Sequence, residues 1–173
     1  MARPATRTRF IAQTSLYLAL AVLLPIGFHT AGMGGRLFLP MHIPVLLAGF
    51  LVGPYSGLLV GLVAPLLSHL LTGMPPVYAV PLMSLELPIY GLVAGLAYQR
   101  LHLNIYIALV VAMMLGRIMF GLGLYVLGLF IDLPYTAAAF FAAGGAIQSG
   151  LPGIAIQVVL IPLIVAAVRR SRG

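Results

Sequence analysis

Three stretches of this chain carry no formal charge: residues 10–35, 37–85 and 133–168. A soluble domain covers its surface with charge, about a quarter of its residues. Here 6 % are charged, 62 % are hydrophobic and the mean hydropathy is +1.17. That excludes a soluble globule, and the same apolar content excludes intrinsic disorder. What remains is an all-α integral membrane protein, read as one membrane domain over residues 1–173. At ~20 residues per span plus short connections, the length accommodates roughly six transmembrane helices.

The uncharged stretches and their breakers place the spans near residues 10–27, 38–52, 57–71, 80–98, 105–130 and 149–168. The first follows a basic N-terminal region, as a signal peptide would, but its length and the lack of a small-x-small site near His29-Thr30-Ala31 favour a retained helix. Gly53-Pro54-Tyr55-Ser56-Gly57 reads as the turn between the second and third spans, and Thr72-Gly73-Met74-Pro75-Pro76 as the next break. Pro40 and Pro44 predict an irregular first turn in the second helix. Tyr135–Gln148 is too polar and glycine-rich for a span and reads as a surface or re-entrant loop.

The net charge of +7 comes from nine arginines against Glu86 and Asp132, with no lysine. In a soluble protein this balance would suggest a nucleic-acid partner, but these arginines sit at the chain ends and in one short loop. Six spans put Arg3, Arg7, Arg9, Arg100, Arg169, Arg170 and Arg172 on the terminal side and Arg36 on the other. By the positive-inside rule both termini are then cytoplasmic, in a lipid bilayer and with no nucleic acid involved. Gly57/Gly61, Gly91/Gly95 and Ala112/Gly116 have the small-xxx-small spacing that lets helices approach closely, and ordinary packing is the first expectation for each.

Polar groups at membrane depth carry the functional information, because each is costly there. Glu86 lies ~9 Å below the outer end of the fourth span, and Arg117 ~18 Å from the inner end of the fifth. In a ~30 Å core both fall in the outer half, so the two can pair. The pair either neutralises itself and fixes register or lines an outward polar pocket, with Arg117 as the ligand for an anionic solute. Tyr90 lies one turn from Glu86 on the same face. His42, in Met41-His42-Ile43-Pro44, stands at the outer boundary beside two prolines. Arg36, Tyr78 and Gln148 complete the candidate solute-binding set, while His69 reads as a packed helix-end residue. Four scattered histidines and two carboxylates have no metal-ligand spacing, there is no cysteine, and no catalytic arrangement emerges. Neither a metal nor another cofactor is called for.

Several of these segments resemble the substrate-binding S components of energy-coupling-factor (ECF) vitamin transporters. The resemblance is carried by Gly34–Val45, with its His42-Ile43-Pro44-Val45 word, by Leu46–Gly61, by Leu71-Thr72-Gly73-Met74-Pro75-Pro76 and by Glu86–Gly95. It implies a multi-pass protein of a prokaryotic cell membrane that captures a water-soluble vitamin or precursor with high affinity. Pantothenate is the first candidate, with cobalamin and pyridoxine open. It also implies a transmembrane scaffold subunit and two ATPase subunits as partners, so that this chain is not itself an enzyme. The loops His29–Arg36, Thr72–Ala79 and Ile131–Gln148 would close over the solute, and the subunit would topple to deliver it. S components dock their scaffold through small residues on the first helix, often Ala-xxx-Ala. This sequence departs from that form, and Ala12, Ser15 and Ala19 are the nearest equivalent. Two other readings stand beside this one: a solitary secondary carrier with Glu86 as its proton-linked group, and a small membrane enzyme or scaffold protein.

Overall fold

The computed structural model describes residues 4–30, 39–134, 136–142 and 150–171. Among these the chain is helical: α1 (Pro4–Thr30), α2 (His42–Leu51), α3 (Pro54–Thr72), α4 (Ala79–Gly95), α5 (Ile105–Leu127), α6 (Ala137–Ala142) and α7 (Leu151–Arg170). A π-helical turn, Leu96–Arg100, continues α4. Among the described residues five segments are long and apolar enough to cross a membrane: Arg7–Phe28, Pro54–Thr72, Ala79–Arg100, Ile105–Leu127 and Leu151–Arg170. Their outward faces are apolar, as Leu62, Leu66, Val110, Met114, Val159 and Leu163 show, which suits lipid as the surrounding solvent.

Within the second expected span, 38–52, the described helix is the ten-residue α2. At 1.5 Å per residue that is ~15 Å, half a hydrocarbon core. Its late start has a local cause. Leu39 takes a left-handed φ of 49°, Pro40 has no N–H to give, and His42 N–H donates to the Leu39 carbonyl at 3.1 Å. Pro44 is harmless in the first turn, where its missing N–H would have had no intrahelical acceptor. All of α2 but its last residue is buried, among α1, α3, α4 and α7. A helix enclosed by protein need not match the membrane's thickness.

The third span begins earlier than the expected Gly57. Gly53, with φ 143° and ψ 170°, breaks the chain in a single residue in a conformation that demands glycine, and Pro54 then starts α3. The fifth ends at Leu127 rather than at 130. Within the stretch read as a loop, α6 lays Phe140 against Phe120 at 5.0 Å between centroids and seats the Phe141 ring where Gly121 has no side chain.

The small-residue stripes meet one another inside the chain. A Cβ on Gly57 would stand 2.6 Å from the Cα of Gly91, and one on Gly61 would stand 2.5 Å from the carbonyl carbon of Leu87. Gly49 likewise abuts the Gly91 carbonyl, and Gly95 abuts Pro54. The α2–α3 hairpin and α4 therefore touch backbone to backbone, fixing the helix that carries Glu86.

One end of the bundle is closed by a second cluster. The π turn swings Gln99 back so that its Nε2 donates to the Phe50 carbonyl at 2.9 Å, capping α2. Tyr98 packs edge-on to Phe50, and the Arg169 guanidinium lies 4.4 Å from its ring centroid. Thr14 and Ser56 hydroxyls share a hydrogen bond of 2.8 Å. These contacts place the N-terminal half of α1 and the end of α7 together, at what we call the terminal end. At the opposite end, the His69 ring nitrogen bonds the Pro75 carbonyl at 2.7 Å and Ser68 donates to Met74, holding the α3–α4 link. This agrees with a helix-end role for His69.

Candidate functional site

The opposite half of the bundle holds an ionic cluster built from three helices. The α2 turn puts His42 at the start of its helix, α4 supplies Glu86 and Tyr90 one turn apart, and α5 supplies Arg117. Arg117 Nη1 lies 3.1 Å from Glu86 Oε1, and His42 Nε2 lies 3.7 Å from the same oxygen. The second distance is too long for a hydrogen bond. Glu86 and His42 are each only 2 % exposed. The His42 and Tyr90 rings meet edge-to-face with centroids 5.0 Å apart.

Two glycines shape the space around these groups. A Cβ on Gly116 would run into the Tyr90 ring, so the Ala112/Gly116 stripe makes room for an aromatic side chain rather than for a neighbouring backbone. A Cβ on Gly150, just before α7, would stand 3.1 Å from Arg117 Nη2 and 2.9 Å from Leu39 Cδ1. On α4, Pro88 cannot donate to the Ser84 carbonyl, which loosens the helix hydrogen-bond ladder beside Glu86.

Much of this polarity is unused within the described residues. Both ring nitrogens of His42, Arg117 Nε and Nη2, Ser84 Oγ and both amide atoms of Gln157 are buried without a hydrogen-bond partner, and Glu86 Oε1 has only its ion pair with Arg117. Buried polar atoms are otherwise satisfied in folded proteins, and a cluster of exceptions needs an explanation. Nε and Nη2 form one edge of the guanidinium, the fork that matches a carboxylate's two oxygens. Arg117 thus spends Nη1 on Glu86 and leaves that whole edge without a hydrogen-bond partner among the described residues.

Of the residues expected from sequence, the structure brings together His42, Glu86, Tyr90 and Arg117. Tyr78 stands apart, half-buried at the N-cap of α4 and about two turns from Glu86. Arg36 and Gln148 lie outside the described residues. Ala12, Ser15 and Ala19 are all exposed, on one face of α1, with the buried Ala21 on the other. Sequence reading missed Gln157 and Ser84. A signal for Gln157 existed: it is the one polar side chain between Leu151 and Val168.

A family model described as ECF transporter, substrate-specific component, matches residues 9–165, most of the chain. The chain belongs to that family. Comparison with curated proteins and with solved structures gives no match. As an ECF substrate-specific component it is a multi-pass membrane protein that serves as the substrate-recognising subunit of an uptake transporter. Association with scaffold and ATPase subunits follows from the same membership.

Proposed function

We propose that this S component captures a water-soluble vitamin or precursor bearing a carboxylate, with pantothenate as the first candidate, and that Arg117 is the residue that binds that carboxylate. The single observation behind this reading is the Nε/Nη2 edge of Arg117, buried beside Glu86 with no hydrogen-bond partner among the described residues. A planar anion on that edge gains two charge-assisted hydrogen bonds in a low-dielectric setting. Glu86 holds the guanidinium in position through Nη1, and His42 and Tyr90 wall the same space. Tyr78, at the N-cap of α4, and Arg36 and Gln148, which lie outside the described residues, complete the proposed solute-binding set.

In the same reading the chain crosses the cell membrane of a prokaryote six times, with α2 as the short second crossing and both termini in the cytoplasm. The arginine distribution supports that orientation. Ala12, Ser15 and Ala19 form the face of α1 that meets the scaffold subunit, and ATP hydrolysis by two partner subunits drives delivery. The exposure of those three small side chains, on a helix whose other face is tied to α3 through Thr14 and Ser56, supports the assignment. Uptake of labelled pantothenate in cells with and without the coupling module tests it. Uptake that depends on both the chain and the module is expected. Uptake undiminished without the module would establish a solitary carrier instead.

A further inference from the structure

We infer that Gln157 is a second solute-binding residue of this site, recognising a group that both donates and accepts a hydrogen bond, an amide or a hydroxyl, in a solute whose carboxylate is held by Arg117. The inference rests on the reading of the ionic cluster as the solute site and adds to it the chemistry of the solute's other end.

Gln157 is fully buried, and both its amide nitrogen and its amide oxygen lack a partner among the described residues. It shares the inward face of α7 with Gly153, Ile161 and Val165, and α7 packs against α2 and α5, the helices that carry His42 and Arg117. Depth agrees. Arg169 lies over Tyr98, which fixes one level at the terminal end. Gln157 is twelve residues before Arg169, Glu86 is twelve before Tyr98, and Arg117 is twelve beyond Ile105, where α5 begins at that same end. Each backbone position is therefore ~18 Å from the terminal end.

The spacing along α7 sets the solute's length. Gly150 adjoins Arg117 Nη2, so the unpaired guanidinium edge is level with the start of α7. Gln157 follows seven residues later, ~10 Å down the axis, and side chains on a helix tilt back toward its N-terminus. The amide and the guanidinium therefore stand roughly 5–10 Å apart along the bundle axis. A solute with a carboxylate at one end and an amide or hydroxyl a few bonds away bridges that gap. An apolar fatty acid would leave the Gln157 amide as unsatisfied as it is now.

The test uses detergent-purified full-length protein, with labelled pantothenate and its ester analogue, in which oxygen replaces the amide N–H, as probes. For Gln157→Leu, pantothenate affinity is expected to fall about 10- to 100-fold. Where the group is the amide, wild type binds pantothenate at least tenfold more tightly than the ester and Gln157→Leu binds the two alike; where it is a hydroxyl, Gln157→Leu weakens both probes equally. The melting temperature of ligand-free Gln157→Leu is expected to equal or exceed that of wild type, because an unpartnered buried amide has been removed. A structural role for Gln157 would lower it. Unchanged pantothenate affinity in Gln157→Leu, alongside a loss in Arg117→Met, overturns the role of Gln157 and leaves the carboxylate site standing. No binding of either probe by wild type overturns both.

Discussion

Replacing Arg117 separates what holds the bundle together from what holds the solute. Glu86 is buried and sits 3.1 Å from Arg117 Nη1, so removing either partner alone leaves a charge without its counterion. Such losses cost about 3–5 kcal/mol, whereas replacing both partners by neutral groups of similar size is often neutral or stabilising. Arg117→Met in a Glu86→Gln background is therefore expected to restore most of the stability that Glu86→Gln alone loses. Affinity should move the other way. Glu86→Gln keeps the guanidinium and removes the competing anion, so it retains or strengthens carboxylate binding. Adding Arg117→Met deletes two hydrogen bonds to a charged group, each about 1.5–3 kcal/mol. The summed loss of roughly 3–6 kcal/mol corresponds to about a 10²- to 10⁴-fold weaker dissociation constant. Equilibrium binding of labelled pantothenate, with thermal unfolding of the same samples, measures both quantities. A double variant that binds within threefold of wild type would remove the guanidinium from the solute site.

Other expectations follow from single contacts. Gly91→Ala should destabilise the protein by about 1–3 kcal/mol and lower its melting temperature, because backbone atoms of Gly57 cannot yield to a Cβ as a flexible side chain would. Gly27→Ala, with open space around it, should leave the melting temperature unchanged or slightly raised. Ser56→Ala removes a fully buried hydroxyl bonded to Thr14, and hydrogen exchange in α1 should rise in step with a loss of about 1 kcal/mol. Ala19→Trp, on the exposed face of α1, should reduce co-purification of the scaffold subunit while solute affinity stays at the wild-type value.

Much of the site could be read from the sequence because charge is so scarce in it. With only two acidic residues in the chain, depth counted along two neighbouring helices sufficed to pair Glu86 with Arg117. The glycine spacing was legible for a similar reason: Gly57, Gly61, Gly91 and Gly95 leave little else for two helices to do at close range. What the pattern hid was local backbone geometry. A hydropathy run cannot show that Leu39 turns left-handed and holds α2 to ten residues, or that Gly53 ends one helix and Pro54 starts the next without a longer turn. Nor does hydropathy distinguish a lipid-facing span from one enclosed by protein, so α2 looked like its neighbours. Gln157 escaped because an uncharged amide in an apolar run draws no attention, although leaving it unpaired at that depth is costly.

Native mass spectrometry of the purified chain tests most directly whether the buried cluster of His42, Glu86 and Arg117 holds a solute. The expected result is a small polar molecule with a carboxylate, retained by wild type through detergent removal and absent from Arg117→Ala. A wild-type protein that flies without any such adduct, or an adduct equally abundant on Arg117→Ala, would contradict the assignment of the guanidinium as the residue that captures the solute.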